Sequence, residues 1–129
     1  MSTLSEKTAM SKNQQLRALI TSPELNFLME SHNALSAKIA EQAGFQGLWA
    51  SGLTISASLG LADRNEASWT QVIDVVDFIT DHVDIPVLLD GDTGFGNYHN
   101  VIRLVKKGFV ALTGIEKVTH HLCLRDPAR

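Results

Sequence analysis

Hydrophobic positions along the chain fall into short continuous runs that alternate with segments of helical period, a pattern that predicts strands and helices in turn. Leu16, Leu19 and Ile20 stand at i, i+3 and i+4 and predict a short amphipathic helix, ended by Pro23. Leu25–Glu30 is an apolar run closing on Ser31, His32 and Asn33, read as a strand with polar side chains at its C-terminal end. Ala34–Ala43 is rich in Ala, Leu, Lys and Glu, and Gly44 stands where a helix places its C′ residue. Gly47–Ser51 predicts a second strand opening into Gly52. The small, hydroxylated stretch Leu53–Gly60 has no clear period, and Leu61–Asn65 reads as a loop.

Ser68 and Gln71 have capping-box spacing, and Trp69, Val72, Ile73, Val76 and Ile79 follow at helical period. Ile85–Leu89 is a continuous apolar strand of the kind buried on both faces, ending in Asp90-Gly-Asp-Thr-Gly94. Val101, Leu104 and Val105 predict a further helix up to Lys107 and Gly108. Phe109–Ile115 reads as a fourth strand, and Glu116–Arg129 shows no period. The order implies parallel strands joined by right-handed crossovers, an α/β fold whose polar residues gather at the strand ends. In a (β/α) barrel those ends build the active site, and a complete barrel takes ~250 residues, so three to four βα units are expected here. Residues 1–13 are read as a flexible leader, 14–108 as a partial barrel, and 109–129 as a divergent, poorly ordered tail.

With 129 residues, 44% of them hydrophobic, the chain can bury one core. A net charge of −3 with eleven scattered Lys and Arg residues supplies no basic field for nucleic acid or anionic lipid. No apolar run approaches the ~20 residues of a membrane helix, and Met1–Arg17 lacks the apolar core of a secretory signal. Cys123 is the single cysteine, which fits a reducing cytoplasm. A small-molecule ligand is the expected partner.

Asp90 and Asp92 put two carboxylates at a strand end among glycines. Such oxygen donors suit Mg²⁺, which takes one or two carboxylates with water and substrate oxygens; a capped helix start with a solvated turn is the alternative, and spacing leaves both open. An EF-hand loop from Asp90 fails because its twelfth position is Val101, and a dinucleotide fingerprint from Gly94 and Gly96 fails at His99. Ser51, Gly52 and Leu53 could hold anionic oxygens on freed backbone N–H groups or form an ordinary βα turn. Trp49 reads first as core, Asp63 as a turn residue or a nucleophile, and His32 as a structural histidine or an acid–base group. His120, His121 and Cys123 contain zinc-ligand types without an evident fourth ligand.

Taken together, Phe27-Leu-Met-Glu-Ser-His-Asn33, Gly47-Leu-Trp-Ala-Ser-Gly-Leu-Thr-Ile-Ser-Ala57, Asp63-Arg-Asn-Glu-Ala-Ser-Trp-Thr-Gln71 and Leu89-Asp-Gly-Asp-Thr-Gly-Phe-Gly-Asn97 resemble the phosphoenolpyruvate mutase family of the isocitrate lyase superfamily. The resemblance covers Leu16–Lys107. It implies the N-terminal part of a (β/α)8 barrel and a Mg²⁺-dependent isomerisation of phosphoenolpyruvate to phosphonopyruvate, the P–C bond-forming step of phosphonate biosynthesis. It implies Asp90 as direct metal ligand, Asp92 as a ligand through water, and Trp49, Ser51, Gly52 and Leu53 as the pocket for the substrate's anionic groups. Asp63 matches the loop aspartate at the phosphoryl-transfer centre, and the full-length family protein is expected to be a homo-oligomer.

Relatives that hydrolyse phosphonopyruvate or cleave C–C bonds share the Asp-x-Asp-Thr-Gly loop, while the run from Asp63 to Trp69 looks more like the mutase. The resemblance departs after Lys107. The family's Glu-Asp-Lys motif is matched only by Gly114-Ile-Glu-Lys117, which falls short of that position, so Glu116 is carried over as the acidic, water-mediated metal contact on weaker grounds. The later strands that supply an arginine and a histidine are not in this sequence, as a frameshift, aberrant splicing or a gene-model error after Lys107 would leave it. A non-catalytic half-barrel that binds itself or a full-length relative is the competing expectation.

Overall fold

The computed structural model describes residues 10–92, 94–111 and 115–118. Helix α1 (Lys12–Thr21) starts at Ser11, whose hydroxyl accepts the Gln14 N–H while the Gln14 side chain accepts the Ser11 N–H. The stretch read as leader to residue 13 therefore gives way to helix at Lys12; residues 1–9 lie outside the described residues. Lys12 ties α1 to the body of the protein, its Nζ donating to the carbonyls of Val83 at 2.7 Å and Thr80 at 3.2 Å. Strand β1 is shorter than the apolar run predicted, Met29–Ser31, because Leu25 and Phe27 stand 81% and 68% exposed ahead of the residues that pair with the neighbouring strand.

Helix α2 (Ala34–Gln42) is capped reciprocally by Asn33 and Ser36. It ends as its composition predicts: Gly44 takes φ +97°, Phe45 N–H reaches the Ala40 carbonyl and Gly44 N–H that of Glu41. Strand β2 (Leu48–Ala50) runs into Ser51, and the periodless stretch after it is a helix, α3 (Gly52–Ser58). Seven residues with Leu53 and Ile55 as their only large apolar side chains are too short to print a hydrophobic period, so only the Ser51 cap marks this helix in sequence. Helix α4 (Trp69–His82) has the predicted capping box between Ser68 and Gln71, and β3 (Val87–Asp90) follows.

Helix α5 (Tyr98–Ala111) runs past the predicted stop at Gly108 and takes up residues expected to begin a fourth strand. That strand, β4, lies at Ile115–Val118 and pairs with β3, placing part of the expected poorly ordered tail in the sheet. The remainder, from Thr119 on, lies outside the described residues.

The sheet has the order β1-β2-β3-β4, every pair parallel. Leu48, Ala50, Val87 and Leu89 are fully buried in one cluster with Ala37 and Ala40 of α2, Val72, Ile73, Val76 and Ile79 of α4, and Leu104 of α5. Helices thus cover one face of a sheet whose strands follow in sequence order, the winding of a (β/α)8 barrel and not of a doubly wound sheet. Trp49, Leu88 and Asp90 alternate with these core residues and so belong to the opposite face, the barrel's interior.

Candidate functional site

The strand ends converge because the register is nearly level. Ser31 pairs with Ala50 and Ala50 with Leu89, and the Ser51 N–H continues the ladder to the Ser31 carbonyl at 3.4 Å. One step further, Ser51 and Asp90 stand at neighbouring strand ends. Gly52 is buried beside them: a Cβ placed on it would lie 3.4 Å from both the Asp90 carbonyl and Asp90 Oδ2. Any larger side chain would therefore fill the space in front of the carboxylate.

Asp90 Oδ1 accepts the Asp92 N–H at 3.0 Å, which folds the loop back on itself and leaves Oδ2 on the Gly52 side. Asp92, Gly94, Phe95 and Gly96 all have positive φ, and the Gly94 N–H closes the turn on the Gly91 carbonyl at 2.8 Å. Neither aspartate caps α5. Asn97 does, its Oδ1 accepting the N–H groups of His99 and Asn100 at 3.0 and 3.2 Å. With Asn97 in the cap position, Asp90 and Asp92 stand as two carboxylates in one short turn.

The described residues contain no group of three or more His, Cys, Asp or Glu side chains around a common point. Two carboxylates in one loop suit a cation such as Mg²⁺, which leaves most of its positions to water and substrate oxygens. The His120, His121 and Cys123 zinc reading falls outside the described residues. Glu116 is paired across the sheet with Leu88, two positions before Asp90, so its backbone belongs to the row of Trp49 and Leu88, one layer below the strand ends.

The pocket residues do not all behave alike. Ser51 is 6% exposed and its hydroxyl caps α3, accepting from Thr54 N–H at 3.4 Å, so in this arrangement it serves the βα turn. Trp49 is partly buried on the interior face, and Leu53 is 56% exposed on α3. His32 Nδ1 lies 3.9 Å from Glu30 Oε1, two residues earlier on the same face of the chain.

Asp63 lies on the loop between α3 and α4. Because α4 carries the chain back to the start of β3, that loop is at the same end of the sheet as Asp90. Asp63 is exposed. Glu66, which the sequence reading passed over, is the loop's main polar contact: the Ala62 N–H and the Arg64 guanidinium, in that order, hold its carboxyl below the usual glutamate range. Its one trace in the sequence, a carboxylate two residues after an arginine in a loop, is too common a pattern to single it out.

The family model described as phosphoenolpyruvate phosphomutase matches residues 16–119. A phosphoenolpyruvate phosphomutase of Tetrahymena pyriformis is 58% identical over 96 residues, 74% of this chain and 32% of that protein. A phosphonopyruvate hydrolase of Variovorax sp. (strain Pal2) is 48% identical over 96 residues, 74% of this chain and 33% of that protein. The crystal structure of a phosphonopyruvate hydrolase in complex with oxalate and Mg²⁺ superposes with a TM-score of 0.74 at 44% identity, covering 82% of this chain and 37% of that one. The chain spans about a third of the length of the curated relatives it matches.

Proposed function

The chain belongs to the phosphoenolpyruvate phosphomutase family, and on that premise we propose that it carries the metal and phosphoryl half of a Mg²⁺-dependent mutase site that interconverts phosphoenolpyruvate and phosphonopyruvate in phosphonate biosynthesis. The single observation behind this reading is the apposition of Asp90 Oδ2 and Gly52, which keeps an open carboxylate beside backbone that a substrate can approach. Asp90 is the residue to hold Mg²⁺ directly, Asp92 to reach it through water, and Glu116 to act from further off. Bound Mg²⁺ supplies positive charge against the substrate's anionic oxygens.

The remaining work falls to the chain. Moving a phosphoryl group from oxygen to carbon breaks one P–O bond and makes one P–C bond, and catalysis of such a transfer is mostly positioning and charge neutralisation. Gly52 and Leu53 present backbone N–H groups to the carboxylate end of the substrate, Trp49 walls the pocket from the interior face, and Ser51 fixes the turn that aims them. Asp63 approaches from the α3–α4 loop as phosphoryl acceptor or as electrostatic partner. Such a protein would work in the cytoplasm on a small phosphorylated acid.

Phosphonopyruvate hydrolysis is the second reading, favoured by the similarity to the Variovorax hydrolase at nearly the same coverage. ³¹P NMR of the chain with Mg²⁺ and phosphonopyruvate separates the two: a phosphoenolpyruvate resonance supports the mutase, inorganic phosphate the hydrolase. Asp90→Ala should abolish either conversion, and Asp92→Ala should weaken Mg²⁺ binding ~10 to 100-fold, as loss of an outer contact does. Absence of both products, under conditions where a full-length relative converts, would withdraw the activity from this chain.

A further inference from the structure

Asp63 is the central residue of a three-residue turn, closed by the Arg64 N–H on the Ala62 carbonyl at 2.9 Å. Both flanks of that turn are gripped by one carboxylate: Glu66 Oε2 accepts the Ala62 N–H at 2.8 Å, while Glu66 Oε1 accepts Arg64 Nε–H at 2.9 Å and lies 2.8 Å from Arg64 Nη2. Asn65, at φ +62°, reverses the backbone so that Glu66 can reach back over the turn. Ala67, 1% exposed, then anchors the loop's exit in the core.

We propose that Glu66 is a positioning residue for Asp63, acting in two ways; this rests on the role given to Asp63 above. By bridging residues 62 and 64 it fixes the direction in which the residue between them projects. By engaging the Arg64 guanidinium side-on, it holds that cation away from the adjacent Asp63 carboxylate, which stays open to a phosphoryl group. Glu66 touches no substrate; it acts through its two neighbours.

The test compares the full chain with Glu66→Ala, Glu66→Gln and the double variant Glu66→Ala/Arg64→Ala, reading amide hydrogen exchange at Ala62 by NMR and phosphonopyruvate turnover with Mg²⁺ by ³¹P NMR. In Glu66→Ala the Ala62 amide should exchange about threefold faster or more, the scale of losing one exposed charge-assisted contact. Glu66→Gln should lie between, since the amide oxygen can still accept the N–H but no longer neutralises Arg64. Turnover should fall in the same order through kcat, with KM and the unfolding midpoint unchanged. The double variant should recover part of the turnover lost in Glu66→Ala because the released cation is gone.

Unchanged Ala62 exchange in Glu66→Ala would overturn the clamp. A faster-exchanging amide with unchanged kcat would overturn its positioning role. A wild-type chain without turnover, or one in which Asp63→Ala is fully active, would remove the reading of Asp63 and with it the functional half of the proposal, while the exchange data still decide whether the clamp exists.

Discussion

The loop that carries Asp90 and the loop that carries Asp63 present an aspartate at the same end of the sheet, but they are held by different means. The first grows from β3, whose Val87, Leu88 and Leu89 are all buried, and it continues through the buried Gly91, Gly94 and Phe95. The second is exposed from Ala62 to Glu66, with Glu66 gripping Ala62 and Arg64 through polar contacts, and it meets the core only at its ends, Leu61 and Ala67. Packing against the core fixes a loop at large energetic cost to any change, whereas local polar contacts at the surface fix direction at small cost. On the function proposed above, a metal ligand whose position must not vary suits the first arrangement, and a group that meets a moving phosphoryl centre suits the second.

The largest expected effect breaks the first loop. Gly94 has φ +92°, and a Cβ there would stand 2.0 Å from Val101 Cγ2 and 3.0 Å from Val101 Cβ. Gly94→Ala combines a left-handed backbone penalty of about 1–2 kcal/mol with an overpacking cost of about 1–3 kcal/mol, so urea unfolding should show a loss of about 2–5 kcal/mol. Glu66→Ala in the second loop should leave the urea midpoint within error of wild type. Similar losses at the two positions would mean that the Asp63 loop is also part of the core, and the contrast would fail.

A smaller effect sharpens what the aspartates of the first loop are for. Asn97→Ala removes the side chain that caps α5 and should cost about 1 kcal/mol of stability. Asp90→Ala should cost less, because it gives up one hydrogen bond within the loop where Asn97→Ala gives up two at the start of a helix. Should Asp90→Ala be the more destabilising of the two, the loop's aspartates would be structural after all.

The same contrast explains what could be read from sequence. Apolar period and capping pairs carry the core-held parts, so α2, α4, β2, β3 and the Gly44 stop stand close to where Ala34–Gly44, Gly47–Ser51, Ser68–Ile79 and Ile85–Leu89 predict them. Helix α3 escaped because it is only seven residues long with two large apolar side chains, and the start of β4 because α5 continues through Gly108 into residues that look strand-like alone. At the site, Asp90 and Gly52 come together through strand register, which no local pattern encodes. The cap at Asn97 and the clamp at Glu66 depend on side-chain geometry over two to four residues, a scale at which Asn and Glu in loops are too common to single out.

The smallest expected effect concerns Ser31, which shares the strand ends with Ser51 and Asp90 but lies on the core side. It is fully buried, and although its carbonyl accepts the Ser51 N–H, its hydroxyl has no partner. A buried hydroxyl without a hydrogen bond costs about 1–3 kcal/mol relative to a satisfied one, whereas deleting a single oxygen gives up little packing. Ser31→Ala should therefore be neutral or stabilise by up to about 1 kcal/mol in urea unfolding, with Mg²⁺ binding unaffected because the side chain faces the helices. A clear loss of stability would show that the hydroxyl is engaged, and that the end of β1 is held on its core side by a polar contact where the rest of the sheet relies on apolar packing.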